Sequence, residues 1–163
     1  MWLADNWKEY EVIDCSEGEK LERWGKYTLL RPDPQVIWNT KKEDKHWKHL
    51  NAHYLRSKKG GGEWEFFDLP EQWDIHYRSL TFHLKPFSFK HTGLFPEQAV
   101  NWDWFSDKIK KAGRPVKVLN LIPNTRGATH AAAAAGPPWQ SLRWNYYGST
   151  ILWTWAKGRD LED

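Results

Sequence analysis

Three groups of residues in this 163-residue chain have types and spacings that could do chemistry. The first is "VLNLIPNTRGATHAAAAAG", residues 118 to 136: a short apolar run, a loop with one glycine, and an alanine-rich stretch of high helix propensity. A strand, a loop and a helix in that order can aim backbone N–H groups at the anionic end of a cofactor. Gly127 stands alone beside Arg126, short of a G-x-G-x-x-G pattern, so a plain strand–loop–helix is the competing account. The second group is "KKEDKHWKHLNAHYLRSKK", Lys41 to Lys59, with seven Lys or Arg against two acids and with Trp47 and Tyr54 interleaved. Phosphate contact plus aromatic stacking is what an RNA surface requires, and Lys45, Lys48, Arg56, Lys58 and Lys59 are its candidate contacts. A solvated helix face is the alternative. The third group is His46, His49 and His53, which would share one face of a helix over 43–56. No cysteine lies near them and Glu43 and Asp44 fall at no ligand spacing, so surface histidines and no metal are expected. Cys15, the one cysteine, sits beside Asp14, which opposes thiolate formation; a structural role is expected.

Composition bounds these readings. A chain of this length makes one domain or two small ones. The net charge of +3 is too small to argue nucleic-acid binding without a local cluster. A single cysteine excludes an internal disulfide and suits a reducing compartment. Asp5 breaks any apolar N-terminal region, and no run is long enough to span a bilayer, so a cytoplasmic location without membrane is expected. Thirteen Trp supply either core area or stacking surface, and composition does not separate the two.

The elements that must position these residues follow from pattern. "KEYEVID" alternates, Gly18 supplies a turn, and "LERWGKYTLL" carries strand formers around Gly25. Pro32 and Pro34 break the pattern, and the polar helix over 43–56 ends at the glycines 60 to 62. "WDIHYRSLTFHLKPF" predicts a β-hairpin, with Ile75 and Tyr77 on one strand and Leu80, Phe82 and Leu84 on the other. Pro96 and Glu97 open the clearest helix; Trp102, Phe105, Ile109 and Ala112 share its face, and Gly113 and Pro115 stop it. "VKVLNLI" suits a buried parallel strand.

Longer motifs carry a resemblance. "YEVIDCSEGEKLERWGKYTLLRPDPQVIW", "HYLRSKKGGGEWEF", "FKHTGLFPEQAVNWDW" and the strand–loop–helix together resemble the N-terminal part of class I S-adenosylmethionine (SAM)-dependent methyltransferases similar to large-subunit ribosomal RNA cytosine-5 methyltransferases. The match runs from about Lys8 to Gly136. It implies an α+β arrangement: a β-rich N-terminal module followed by the first β-α unit of an incomplete Rossmann-like α/β methyltransferase domain. The implied boundaries are a substrate-side module over 1–88, a connecting segment and helix over 89–115, and the Rossmann-like part with an atypical tail over 116–163. The resemblance places Lys90, His91, Thr92, Gly93, Phe95 and Gln98 beside the SAM pocket, and Asn120, Thr125 and Gly127 around its methionine end. Ribosomal RNA is the implied partner, with the target base turned out of its stack.

The departures set further expectations. The family's loop resembles "LNLFAYTGGAT", whereas Ile122, Pro123, Asn124 and Arg126 stand here. Arg126 adds bulk and positive charge where a backbone must approach a sulfonium. The ribose-binding acid would fall near position 143, which is Arg143, and the tail shows neither a useful strand alternation nor helical periodicity. The expectation is a truncated and inactive methyltransferase whose catalytic residues lie in a missing C-terminal part. A non-catalytic RNA-binding module is the alternative. A nicotinamide site, with Arg143 on a ribose 2′-phosphate, is the third reading.

Overall fold

Alternating residues and tight turns fold the first part of the chain into a meander. Strand β1 (Tyr10–Ser16) turns at Glu17 and Gly18, whose φ values of 54° and 81° give the twist a two-residue hairpin needs. Strand β2 (Glu19–Trp24) then turns at Gly25 into β3 (Tyr27–Pro32), and both pairings are antiparallel. The computed structural model describes residues 3–57, 59–86, 90–114, 116, 118–120, 127–136, 139–146 and 149–156. It divides into two units, Trp7–Leu94 and Met1–Asn6 with Phe95–Asp163.

In the first unit the meander grows into a five-stranded sheet in the order β1-β2-β3-β4-β5, with β4 at Ala52–Arg56 and β5 at Gly62–Phe66. The helix expected over 43–56 is absent. A 3-10 turn at Lys45–Lys48, capped by Asp44, is followed by β4, which runs parallel to β3. Asn51 decides this locally. Its side-chain oxygen accepts from Thr28 N at 2.8 Å and its own N–H donates to Thr28 O at 2.8 Å, which seats the following residues against β3. Tertiary pairing thus overrides local helix propensity. The expected hairpin is present as β6 (Trp73–Tyr77) and β7 (Leu80–Leu84), and Ile75, Tyr77, Phe82 and Leu84 are buried.

Both faces of β2 and β3 are covered. Leu21 and Leu30 pair across one face; Trp24, Leu29, Glu22 and Arg31 occupy the other. Glu22 has no exposed surface and Arg31 is 6% exposed. Arg31 engages the carboxylate with a fork, Nε to Oε2 at 2.6 Å and Nη2 to Oε1 at 2.8 Å. The Tyr10 hydroxyl donates to Oε1 at 2.7 Å, Lys20 Nζ lies 3.4 Å from it, and the guanidinium covers the Trp24 ring. Burial alone would raise the Glu22 carboxyl, but the Arg31 charge and hydrogen bonds, with Lys20 and Tyr10, outweigh it and hold the group below its ordinary 4.5.

In the second unit a 3-10 turn at Pro96–Gln98 runs into helix α1 (Ala99–Lys111). Glu97 lies at its start, and Lys108, Lys110 and Lys111 at its end, as the macrodipole favours. Ala99, Trp102 and Ile109 are buried; Phe105 is half-buried and Ala112 exposed. Helix α2 (Gly127–Ala135) buries Ala131 and Ala132, and the Ser106 hydroxyl donates to Ala131 O at 3.3 Å. Asn6 joins this unit through Asp103 at 3.1 Å.

Strand β8 (Val118–Asn120) corrects the expectation of a parallel strand, because it pairs antiparallel with β10 (Ser149–Ala156). β10 in turn pairs with β9 (Trp139–Tyr146), giving the order β8-β10-β9. The tail therefore has strand structure that its sequence reading denied. Leu142, Trp144 and Tyr146 alternate with Arg143 and Asn145, and Trp, Tyr, Thr and Ile favour extended backbone. The partial alternation in "ILWTW" hid the second strand.

Two stability predictions follow from the β-rich unit. A Cβ at Gly62 would lie 2.2 Å from Leu55 O and 2.7 Å from Tyr54 Cε1. Gly62→Ala lowers unfolding free energy by about 2–3 kcal/mol in urea titration, the range for overpacked sites; a loss below about 0.5 kcal/mol, the range of neutral surface changes, refutes this. For Glu22 the folded value lies below the unfolded one, so its stabilisation is present above about pH 4.5 and is lost as pH falls through the folded value. Glu22→Gln strands the guanidinium, so it costs about 3–5 kcal/mol at neutral pH and flattens the acid limb of stability against pH. An acid limb identical to that of the unaltered chain contradicts the assignment.

Candidate functional site

Residues Lys90–Leu94 form no helix or strand, yet Thr92 and Leu94 are buried. They are tied to β3 from both directions. Arg31 Nη1 donates to Lys90 O at 2.9 Å, and Lys90 Nζ donates to Pro32 O at 3.2 Å. Within this anchored segment Thr92 is 1% exposed and its Oγ1 has no hydrogen-bond partner among the described residues. Gly93 follows at φ 89°, a conformation that side chains other than glycine's adopt only under strain. His91 is exposed.

The sequence-expected cofactor residues divide between the units. Lys90, Thr92 and Gly93 lie in the β-rich unit, and Phe95, Gln98, Asn120 and Gly127 in the other. Phe95 O accepts from Gln98 N, and the exposed Gln98 accepts from Asn101 Nδ2 at 3.0 Å. Asn120 ends β8 opposite Leu152. Thr125 and the neighbouring Arg126 lie outside the described residues, as do Pro123 and Asn124. Gly127 opens α2, and a Cβ there would stand 2.6 Å from Trp102 Cζ2. Packing of α2 on α1 thus requires glycine at this position whether or not a ligand approaches the loop.

The basic stretch presents Lys45 and Lys48 on the 3-10 turn, Arg56 at the end of β4 and Lys59 beyond it, all exposed; Lys58 lies outside the described residues. The aromatic half of the expectation is corrected. Tyr54 is 4% exposed and meets its cross-strand partner Trp64 on β5 edge-on at 5.4 Å. Trp47 is half-buried, with Nε1 donating to Asp14 Oδ2 at 2.8 Å and the Lys42 ammonium over its ring. The exposed rings of this unit include Phe66 and Phe67. Phe66 stacks on Trp64, and Phe67 borders clefts of about 530 and 410 Å³ that share Asn51 and Asp68 and reach Lys26 and Lys48. The signal for these two rings was present in "EWEFF", directly after the three glycines, and was not used.

The three histidines do not share a helical face. His46 contacts Asp44 at 2.6 Å on the turn, His49 follows the turn, and His53 on β4 contacts Glu19 at 2.7 Å. Among the described residues no cluster of His, Cys, Asp and Glu could hold a metal ion. Burial, then the Asp14 charge, pushes the Cys15 thiol up, which keeps it protonated at neutral pH. Among the described residues no helix is long and apolar enough to cross a membrane.

No protein-family model matches the chain, and no curated protein does. Among solved structures the chain is similar to the SAM-dependent methyltransferase from Agrobacterium tumefaciens, at 36% sequence identity and a TM-score of 0.74. The likeness covers 80% of this chain and 42% of that one, so the chain spans less than half the length of its solved relative. The match supports a strand-rich mixed fold similar to that methyltransferase, and the SAM-dependent methyltransferase class that the sequence motifs imply.

Proposed function

We propose that this chain is part of a SAM-dependent methyltransferase acting on RNA, ribosomal RNA in the reading of its motifs, and that it holds part of the cofactor site and a phosphate-contacting surface. The observation that carries the cofactor reading is the Thr92 hydroxyl, buried without a partner among the described residues in an anchored segment beside Gly93. A buried polar group left unpaired costs about 1–3 kcal/mol, which a polar ligand arriving at that hydroxyl recovers. The Thr92 hydroxyl, which can donate or accept, suits the hydroxyl, amino and carboxylate groups of SAM. When bound, SAM supplies an electrophilic methyl group on a sulfonium.

The chain's own residues orient and exclude. Thr92 offers a hydroxyl that both donates and accepts. The motifs also imply Lys90, Gly93, Phe95, Gln98, Asn120, Thr125 and Gly127 as cofactor contacts. Lys45, Lys48, Arg56, Lys58 and Lys59 would contact RNA phosphates. A second reading, a non-catalytic RNA-binding module, is favoured by the exposed basic residues alone.

Isothermal titration of the full chain with SAM tests the cofactor reading. Thr92→Val keeps the shape and removes the hydroxyl, so it leaves folding stability unchanged or raised and weakens SAM binding about tenfold. Equal affinity in the two proteins would remove Thr92 from the site. For RNA, anisotropy with a labelled single strand gives an affinity that falls with salt; Lys45→Glu with Lys48→Glu lowers the salt slope by about two. A slope unchanged by both substitutions assigns the phosphate contacts elsewhere.

A further inference from the structure

The segment Lys90–Leu94 has no ladder of its own, so its placement depends on the groups that reach it. Arg31, 59 residues earlier in sequence, is one of them, and Arg31 is itself immobilised by the two-pronged contact with the buried Glu22. The guanidinium is flat and its donors point in fixed directions, so a fork anchored on Glu22 aims Nη1 at one place. That place is the Lys90 carbonyl. The same residue's ammonium returns to Pro32 O, next to Arg31, closing the connection on β3.

We propose that Arg31 is a positioning residue: anchored by Glu22, it fixes the Lys90 carbonyl and thereby holds Thr92 and Gly93 where a ligand meets them. The proposal rests on the cofactor reading for its functional consequence. Charge alone does not account for the arrangement, because a buried ion pair is a weak contributor to stability compared with apolar packing. A lysine at position 31 would keep the charge opposite Glu22 but has no second planar N–H group to hold the carbonyl.

The test compares the full-length unaltered chain with Arg31→Lys and with Lys20→Met. Lys20 also contacts Glu22, at 3.4 Å, so its removal perturbs the pair without touching the anchor to Lys90. Native-state hydrogen exchange reads the backbone amides of 91–94 against those of β2, β3, β6 and β7 in the same sample. The expected result for Arg31→Lys is exchange about tenfold faster at 91–94 with strand amides unchanged, and SAM affinity weakened about tenfold. Lys20→Met is expected to leave 91–94 as in the unaltered chain. Unchanged exchange at 91–94 in Arg31→Lys overturns the proposal. So does acceleration spread equally over the strands, which marks general destabilisation. So does native SAM affinity despite faster local exchange. Failure of the unaltered chain to bind SAM overturns the cofactor reading instead, and the exchange comparison then still decides whether Arg31 sets the segment.

Discussion

Glu22 and Arg31 are charged groups taken almost wholly out of water, and the β-rich unit is arranged so that neither is left alone. The carboxylate receives Tyr10 from β1, Arg31 from β3 and Lys20 from its own strand. The guanidinium spreads over Trp24 and reaches Lys90. One ionic contact thus pins three neighbouring strands and an irregular segment. It also pins register. Side chains alternate along a strand, so a slip of one residue would turn Glu22 to the Leu21 side and leave the guanidinium without its partner. Apolar residues could fill the same volume but would not discriminate so sharply between registers.

The other unit solves a different problem by different means. Helices α1 and α2 meet through residues with little or no side chain, Gly127, Ala131 and Ala132, against the large ring of Trp102 and the hydroxyl of Ser106. Small faces let backbones approach closely, and the ring then fills the space. The antiparallel set β8-β10-β9 belongs to the same unit, and β8 pairs not with the next strand but, by a crossover, with β10 late in the chain.

Where local signals agreed with one another, the fold was legible in the sequence. The meander β1–β3, the hairpin at 73–84 and helix α1 each combine a clear period with a turn or terminating residue at the right place. Reading failed where a distant partner decided. Asn51 pairs with Thr28 and converts an apparent helix into β4. Gly62, one of three consecutive glycines, looked like a terminator but lies inside β5 because Tyr54 leaves no room for a side chain. Lys45, Lys48, Arg56 and Lys59 are exposed, whereas Tyr54, their expected stacking companion, is core. The candidate cofactor residues came from motif resemblance. No periodicity reveals that Thr92 keeps an unpartnered hydroxyl, since that depends on how Arg31 and Pro32 hold the neighbouring lysine.

The contact between Gly127 and Trp102 bears on how variation at this position is interpreted. A glycine after the first strand of a cofactor-binding domain is commonly taken as the mark of a working loop. Here the same glycine is demanded by an indole ring on another helix. A descendant that had lost every trace of ligand binding would still be held to glycine for as long as it kept tryptophan at 102. The two positions are coupled through shared volume, and 127 becomes free to enlarge when 102 shrinks. Persistence of this glycine is therefore a record of helix packing and by itself says nothing of a ligand.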